Sequence, residues 1–242
     1  MSLRRLIVIV VAAGALLALV LGFFLLRGMA YTAPRSMRLG DWFRDPPGHS
    51  DWMVPAGTVC AGAPFQFPSD GYIGFLWDDS WRPGHRHQGI DIFGPAVEPG
   101  ITPVYAAYAG YLTRLPDWQS TVIIRVPDDP LQPGRQIWTY YTHMADAAGE
   151  SLIAPRFAAG SNEGETKAGD LIGYQGNYSG NPADPVGTHL HFSVVRDNGK
   201  GGFLNELDIN NTFDPSPYLG LNLNANTHPG EIPTCNASGE EG

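Results

Sequence analysis

The sequence predicts an all-β domain, a compact antiparallel sheet or barrel-like sandwich, behind a single N-terminal transmembrane helix. The chain contains 30 Gly and 21 Pro, and no long stretch beyond residue 30 shows the 3.6-residue periodicity of an amphipathic helix. Short β-prone runs separated by turn residues are instead typical of an antiparallel sheet or barrel. The helix is predicted from residues 6–26, an apolar run of 21 residues without a charge.

This apolar run has the length of a membrane anchor. At about 1.5 Å per residue it would cover about 30 Å, the thickness of a bilayer core. It is longer than the apolar part of most signal peptides, so we predict a retained single-pass anchor. Small residues at Gly28 and Ala30 leave cleavage and secretion open. Arginines lie on both sides of the run, and their distribution favours a cytoplasmic location of the C-terminal domain. An extracytoplasmic location of this domain is therefore expected only from the site chemistry below.

The rest of the chain divides by composition. A short tail at 1–5 precedes the anchor, a Pro-rich linker or stalk is expected at 27–61, the folded domain at 62–220 and a polar tail at 221–242. The β-prone runs that predict strands within the domain are 72–77, 102–113, 120–126, 136–143, 171–175 and 189–195.

Charge and cysteine content limit the function classes. The formal net charge of −9 argues against a nucleic-acid partner, which needs a basic surface. Cys60 and Cys235 flank the predicted domain. In an oxidising compartment they could form a disulfide that joins its two ends, or they could be two unrelated thiols; the sequence leaves both open.

Histidines in two short motifs indicate a metal site. His189 and His191 are two residues apart in a predicted strand, so both side chains lie on one face. They could share a metal, or one could bind it while the other faces its open position. His87 and Asp91 add an imidazole and a carboxylate, provided that the chain bends between them, and Gly89 allows such a bend. Two histidines and one carboxylate would leave the fourth position of zinc to water.

A further histidine ends the predicted strand at 136–143. Under two-residue alternation, His143 shares a face with Thr139 and Tyr141. Each of these signals is weak alone, because single histidines and H-x-H patterns are common in strands. His85 competes with His87 as a ligand, whereas the remaining histidines, His49 and His228, lie in the predicted linker and tail.

Taken together, three motifs resemble one enzyme family. HxGxD at 87–91, YTH at 141–143 and HLHF at 189–192 resemble the lysostaphin-type peptidoglycan metallopeptidases, whose domain is also called LytM-like. The flanking segments 100–110, 169–176 and 214–219 are similar to the same family. The resemblance extends over about 72–220.

The resemblance implies a zinc-dependent metalloendopeptidase that hydrolyses peptide bonds of peptidoglycan. Zn²⁺ would be bound by His87, Asp91 and His191, with His189 as general base and His143 stabilising the tetrahedral intermediate. The chain has no HExxH motif, so a histidine base is the sensible alternative to the glutamate of other zinc proteases. We expect Tyr141 and Asp184 to contact the ligands or the substrate.

Other functions fit these residues less well. A non-catalytic or latent LytM-like regulator of another wall hydrolase would use the same fold, but all five expected residues are present. A structural zinc site fits poorly, since such sites usually have four protein ligands. Neither cysteine lies in a catalytic motif and no GxSxG occurs. The loops at 114–135, 146–168 and 181–188 differ from the family pattern. The identity of the peptide bond that is cut is therefore not predicted.

Overall fold

The computed structural model of the protein describes residues 3–80, 84–228 and 230–235. Within these ranges it contains short strands and few helices. The helices are α1 (Leu3–Arg44) and α2 (Ser216–Leu219), with 3-10 helices at Pro47–Trp52 and Ile209–Asn211. The strands are β1 (Met53–Val54), β2 (Gly71–Phe75), β3 (Ile90–Phe93), β4 (Pro103–Tyr105), β5 (Gly110–Thr113), β6 (Val122–Val126), β7 (Ile137–Thr142), β8 (Gly164–Thr166), β9 (Leu171–Tyr174), β10 (Leu190–Arg196) and β11 (Thr212–Phe213).

The strands form one large and one small antiparallel sheet. The large sheet runs β1-β2-β3-β10-β7-β6-β5-β8, with β11 paired to β10, and the small sheet pairs β4 with β9. The predicted antiparallel, mostly-β domain is therefore confirmed. The run 102–113, predicted as one strand, divides into β4 and β5, which belong to different sheets.

Strand β10 is the central strand that positions the functional side chains. It pairs with β3 on one side and β7 on the other, and His191 lies opposite both Asp91 and Thr142. The alternate residues Leu190 and Phe192 are fully buried in the main hydrophobic cluster. Side chains of successive strand residues point to opposite faces, so one face of β10 packs in the core and the other carries the histidines.

The segment before the domain also packs on the sheet. Trp42, near the end of α1, is 1% exposed and contacts the ring of Tyr72 at a centroid distance of 5.9 Å. Met53 of β1 pairs with Tyr72 of β2, and Arg38 donates a hydrogen bond to the Gly230 carbonyl. The predicted boundary of the linker at 27–61 remains a prediction, but its residues from 37 onward include ones that contact the β-structure.

The predicted membrane anchor at 6–26 is not supported by the structure. Among the described residues, no helix is both long and apolar enough to cross a membrane. The side chains of 6–10 and 23–26, which belong to the predicted anchor, lie outside the described residues. The same finding contradicts the predicted location at a cell membrane, and the predicted membrane partner is not supported.

A disulfide joins the segment between β1 and β2 to the last described residue of the chain. Cys60 and Cys235 form a disulfide with a Cα–Cα distance of 5.3 Å. Leu221 and Leu223 are fully buried in the main cluster, and Leu221 forms a β-bridge with Cys235. The first part of the predicted tail therefore packs in the core, whereas residues 236–242 lie outside the described residues.

Candidate metal centre

Three side-chain donor atoms converge at the end of β10. Asp91 Oδ1 lies 3.1 Å from His87 Nε2 and 2.8 Å from His191 Nδ1, and the two nitrogens are 3.0 Å apart. All three residues are buried. The sequence-predicted ligands His87, Asp91 and His191 thus form one cluster that could hold a metal ion.

Pairing of β3 with β10 brings these ligands together. The register sets Asp91 directly opposite His191, and His87 lies just before β3. Gly89 allows the two strands to come close together, a role that was not predicted from the sequence. A Cβ at Gly89 would lie 2.2 Å from the Phe192 carbonyl oxygen, so glycine is needed here for close contact between the strands.

Hydrogen bonds outside the cluster determine which nitrogens of the ligands face it. His87 Nδ1 lies 2.9 Å from the Leu76 carbonyl oxygen, which can only accept, so Nδ1 carries the proton and Nε2 presents a lone pair. His191 Nε2 lies 2.8 Å from Glu206 Oε1. When His191 is neutral and donates this bond, its Nδ1 also presents a lone pair to Asp91.

The cluster therefore requires a positive charge among its donor atoms. Burial would lower the pKa of His191, but the charge of Glu206 and hydrogen bonds to Asp91 and Glu206 raise it to about 10. Burial would likewise raise the pKa of Asp91, yet His87 and His189 in their protonated forms, together with the hydrogen bonds that the carboxylate shares with His191 and His87, hold it well below its usual range. Either a proton or a metal cation can satisfy these atoms, and the two compete for the same place.

The donor set fits zinc. Tetrahedral zinc with nitrogen and oxygen ligands at 2.0–2.1 Å has ligand atoms about 3.3 Å apart, close to the 2.8–3.1 Å separations observed. Two imidazoles and one carboxylate are a ligand set typical of catalytic zinc, which leaves a position for water or substrate.

Two further imidazoles lie beside the cluster. His189 Nε2 is 3.6 Å from Asp91 Oδ1, and the rings of His189 and His143 are 4.4 Å apart. Their Nδ1 atoms lie 2.6 Å and 2.7 Å from the carbonyl oxygens of Gly187 and Tyr178. Each Nδ1 therefore donates and each Nε2 presents a lone pair. Burial lowers the pKa of His189, and burial together with the charge of His189 lowers the pKa of His143 to about 3.

His143 reaches this position through a left-handed backbone conformation. Its φ is 71°, so the two-residue alternation of β7 stops there. Tyr141 remains on the opposite, core-facing side of β7, fully buried, where its hydroxyl accepts a hydrogen bond from the Ala107 amide. Thr139 is buried as well, and the expectation that it and Tyr141 share the face of His143 is wrong. Tyr140 and Thr142 line the groove instead.

The histidines and ligands open into a groove of about 700 Å³. Much of its lining is apolar and comes from elements far apart in sequence: Leu39, Phe43, Phe75, Phe93, Val186 and Leu207. Leu39 and Phe43 belong to α1, and Phe43 packs edge-on against Phe93 at 5.3 Å. Neither residue could be predicted from the sequence, because nothing in the local pattern relates α1 to β3.

The other candidates lie elsewhere. Asp184 is exposed in the loop before β10 and is not part of the groove lining. The ring of His85 is 6.5 Å from that of His87, and its atoms are not among the converging donors. His49 stacks on Trp52 and His228 contacts Thr227, both away from the groove.

Glu206 is a site residue that the sequence analysis also missed. It lies in the segment 205–208 between β10 and the second 3-10 helix, within no recognised motif. A single acidic residue in a polar loop carries no periodic signal, and only the structure shows that it is 8% exposed and bonded to a ligand.

Comparisons with known proteins show lysostaphin-type and M23 peptidases among structural neighbours. The catalytic domain of lysostaphin from Staphylococcus simulans is 20% identical, with 62% of this chain and 90% of that chain covered and a TM-score of 0.38. For lysostaphin itself the values are 18%, 78% and 60%, with a TM-score of 0.39. A mutant catalytic domain of the prophage-encoded M23 protein EnpA from Enterococcus faecalis gives 21%, 62% and 95%, with a TM-score of 0.36.

These neighbours are of the kind that the sequence motifs indicated. Their identities are below 25% and their TM-scores below 0.5, so the functional argument rests on the geometry of the site and on the motifs. No protein-family profile matches the chain, and no curated protein matches it.

Proposed function

We propose that this chain is a zinc-dependent endopeptidase that hydrolyses peptide bonds of peptidoglycan. The observation that carries the proposal is the convergence of three lone-pair donors, His87 Nε2, Asp91 Oδ1 and His191 Nδ1, within 3.1 Å of one another in an open groove. Two more imidazoles with accepting Nε2 atoms lie beside them. A structural metal site has no use for these additional groups.

The three ligands would hold zinc, which when bound polarises a peptide carbonyl and lowers the pKa of a water molecule. We expect His189 to accept the proton of the attacking water, because its Nδ1–H donates to the Gly187 carbonyl and its Nε2 is available. The same group can return that proton to the leaving amine.

His143 would need a proton on Nε2 before it could stabilise an oxyanion. The resemblance assigns it to stabilising the tetrahedral intermediate, but its Nδ1–H is committed to the Tyr178 carbonyl. A neutral His143 therefore offers only an acceptor at Nε2 and cannot donate to an oxyanion. It would have to take up a proton first, and His189, whose ring is 4.4 Å away, is near enough to share one during the reaction.

The substrate part of the proposal rests on the motifs at 87–91, 141–143 and 189–192, which resemble peptidoglycan peptidases. The groove is compatible with a peptide, since apolar walls beside a small number of polar groups are typical of ligand sites. The lining also includes Gln88, Ser179 and Thr142, whose side chains could hydrogen-bond a peptide backbone.

The test is to measure zinc content and muropeptide release for the purified chain and three variants. We expect His191→Ala to lose both zinc and activity, because it removes a ligand. His189→Ala should keep zinc and lose turnover by about 10²–10⁴-fold, the usual contribution of a general base. His228→Ala, which removes a histidine outside the groove, is the matched control and should behave as the unmutated protein.

Full activity of His189→Ala would exclude that residue as the base. Full activity of His191→Ala would exclude the metal mechanism altogether. If the unmutated protein holds one zinc and releases no muropeptides from any wall preparation, then the proposed activity is wrong, although the metal site is right.

A further inference from the structure

A buried carboxylate lies behind one of the metal ligands. Glu206 is 8% exposed, and its Oε1 accepts hydrogen bonds from His191 Nε2 at 2.8 Å and from Ser193 Oγ at 3.1 Å. It is not one of the three converging donors, which meet on the other side of the His191 ring. A carboxylate in such a position is costly to bury unless it is well bonded, and both of its described bonds are to residues of β10.

The segment that carries Glu206 is fixed by several bonds of its own. Gln88 Nε2 donates to the Leu207 carbonyl at 2.8 Å, and the Leu207 amide donates to Asn205 Oδ1. Asn211 Nδ2 donates to the Asn205 carbonyl at 2.8 Å. Because Gln88 follows the ligand His87 directly, this segment is tied both to the His87 side of the centre and, through Glu206, to the His191 side.

The bond from His191 to Glu206 has two effects on the Nδ1 atom that faces the cluster. It fixes the ring orientation, so that Nδ1 rather than Nε2 points at Asp91. It also makes Nδ1 a stronger electron donor, because the opposite N–H is polarised by a negative charge. Removing such a partner of a metal-binding histidine typically weakens metal affinity 10- to 100-fold.

We propose that Glu206 is a positioning residue of the metal centre, one that holds His191 for zinc and adds a second carboxylate charge near a site with only one carboxylate ligand. The proposal rests on the zinc site of the proposed function, and it extends that site to a residue outside all three motifs. Ser193, which donates to the same oxygen, supports the carboxylate from the same face of β10.

The experiment measures the zinc dissociation constant by competition with a chromophoric chelator, which does not depend on peptidase activity. We expect Glu206→Ala to weaken zinc binding about 10- to 100-fold. Glu206→Gln keeps an oxygen that can accept from Nε2 but loses the charge, so its affinity should lie between those of the alanine variant and the unmutated protein. Glu165→Gln, an exposed glutamate on β8, is the matched control and should leave the affinity unchanged.

Two further readouts separate positioning from a general structural role. The visible absorption spectrum of the cobalt-loaded protein should change in Glu206→Ala, because a ligand is reoriented, and should be unchanged in Glu165→Gln. Thermal unfolding of the metal-free proteins measures stability separately. A lower unfolding temperature of Glu206→Ala with zinc affinity within twofold of the unmutated protein would overturn the proposal.

The outcomes also distinguish this proposal from the proposed function. A protein that shows the expected series of zinc affinities and digests no peptidoglycan would retain Glu206 as a positioning residue and refute the peptidase. A protein that digests peptidoglycan, with zinc affinity unaltered in both Glu206 variants, would refute only the role of Glu206.

Discussion

The disulfide between Cys60 and Cys235 is predicted to supply a large part of the stability of the domain. The two residues are 175 positions apart in sequence, so the bond closes a very long loop in the unfolded chain. The loop-entropy relation gives about 5 kcal/mol at 25 °C for a loop of this size. This is a large fraction of the free energy of unfolding of a whole domain, which is only about 5–15 kcal/mol. Removing the disulfide should therefore lower the melting temperature by roughly 10–20 °C.

The perturbation is reduction of the unmutated protein, compared with the double variant Cys60→Ala and Cys235→Ala. Denaturant unfolding followed by circular dichroism, with and without reductant, gives the free energy of unfolding for each. Since the chain has two cysteines in all, the double variant is its own control and must be insensitive to reductant. If mass spectrometry shows full reduction and the unfolding free energy of the unmutated protein changes by less than about 1 kcal/mol, the loop-entropy reasoning is refuted here.

Three more predictions concern the site and its walls. His143→Asn should fold normally, because asparagine tolerates positive φ. Its turnover should fall by about 10²–10⁴-fold. A normal circular dichroism spectrum together with full muropeptide release would contradict this prediction. Gly89→Ala should lower both the unfolding midpoint and the zinc affinity, because the added Cβ would clash with the Phe192 carbonyl oxygen. Gly40→Ala serves as the control in the same unfolding assay, because a Cβ at Gly40 would have no atom within 4 Å. Phe43→Ala should speed the removal of zinc by a chelator in stopped-flow measurements, since it opens one wall of the groove; an unchanged rate would show that α1 does not limit access.

Much of the fold could be predicted because its strands follow local rules. Alternation and β-branched residues located β2, β6, β7, β9 and β10 to within a few residues. Strand β3 was not predicted, because its four residues directly follow Gly89 and overlap the segment 87–91, where a bend was expected. Strands β1 and β11, each of two residues, are too short to produce a pattern.

The three residues of the candidate metal centre could be found from the sequence because a metal site requires a few residue types at defined spacings. The neighbouring residues could not. His143 leaves the face that Tyr141 and Thr139 share because of one backbone angle, φ 71° at His143, which no side-chain pattern encodes. Glu206 and Phe43 reach the site through tertiary packing of a loop and of a helix, and sequence spacing carries no information about such contacts.

The arrangement of Asp91, His191 and Thr142 in one row across β3, β10 and β7 has a consequence for local opening. These strands are the middle of the large sheet, where amide hydrogens exchange with solvent only when the whole domain unfolds. Fluctuations that fray the edge strands β1 and β8 leave this row intact. The distances between Asp91 and His191 should therefore persist in the metal-free protein up to the global unfolding transition, and metal should enter a site that is already formed.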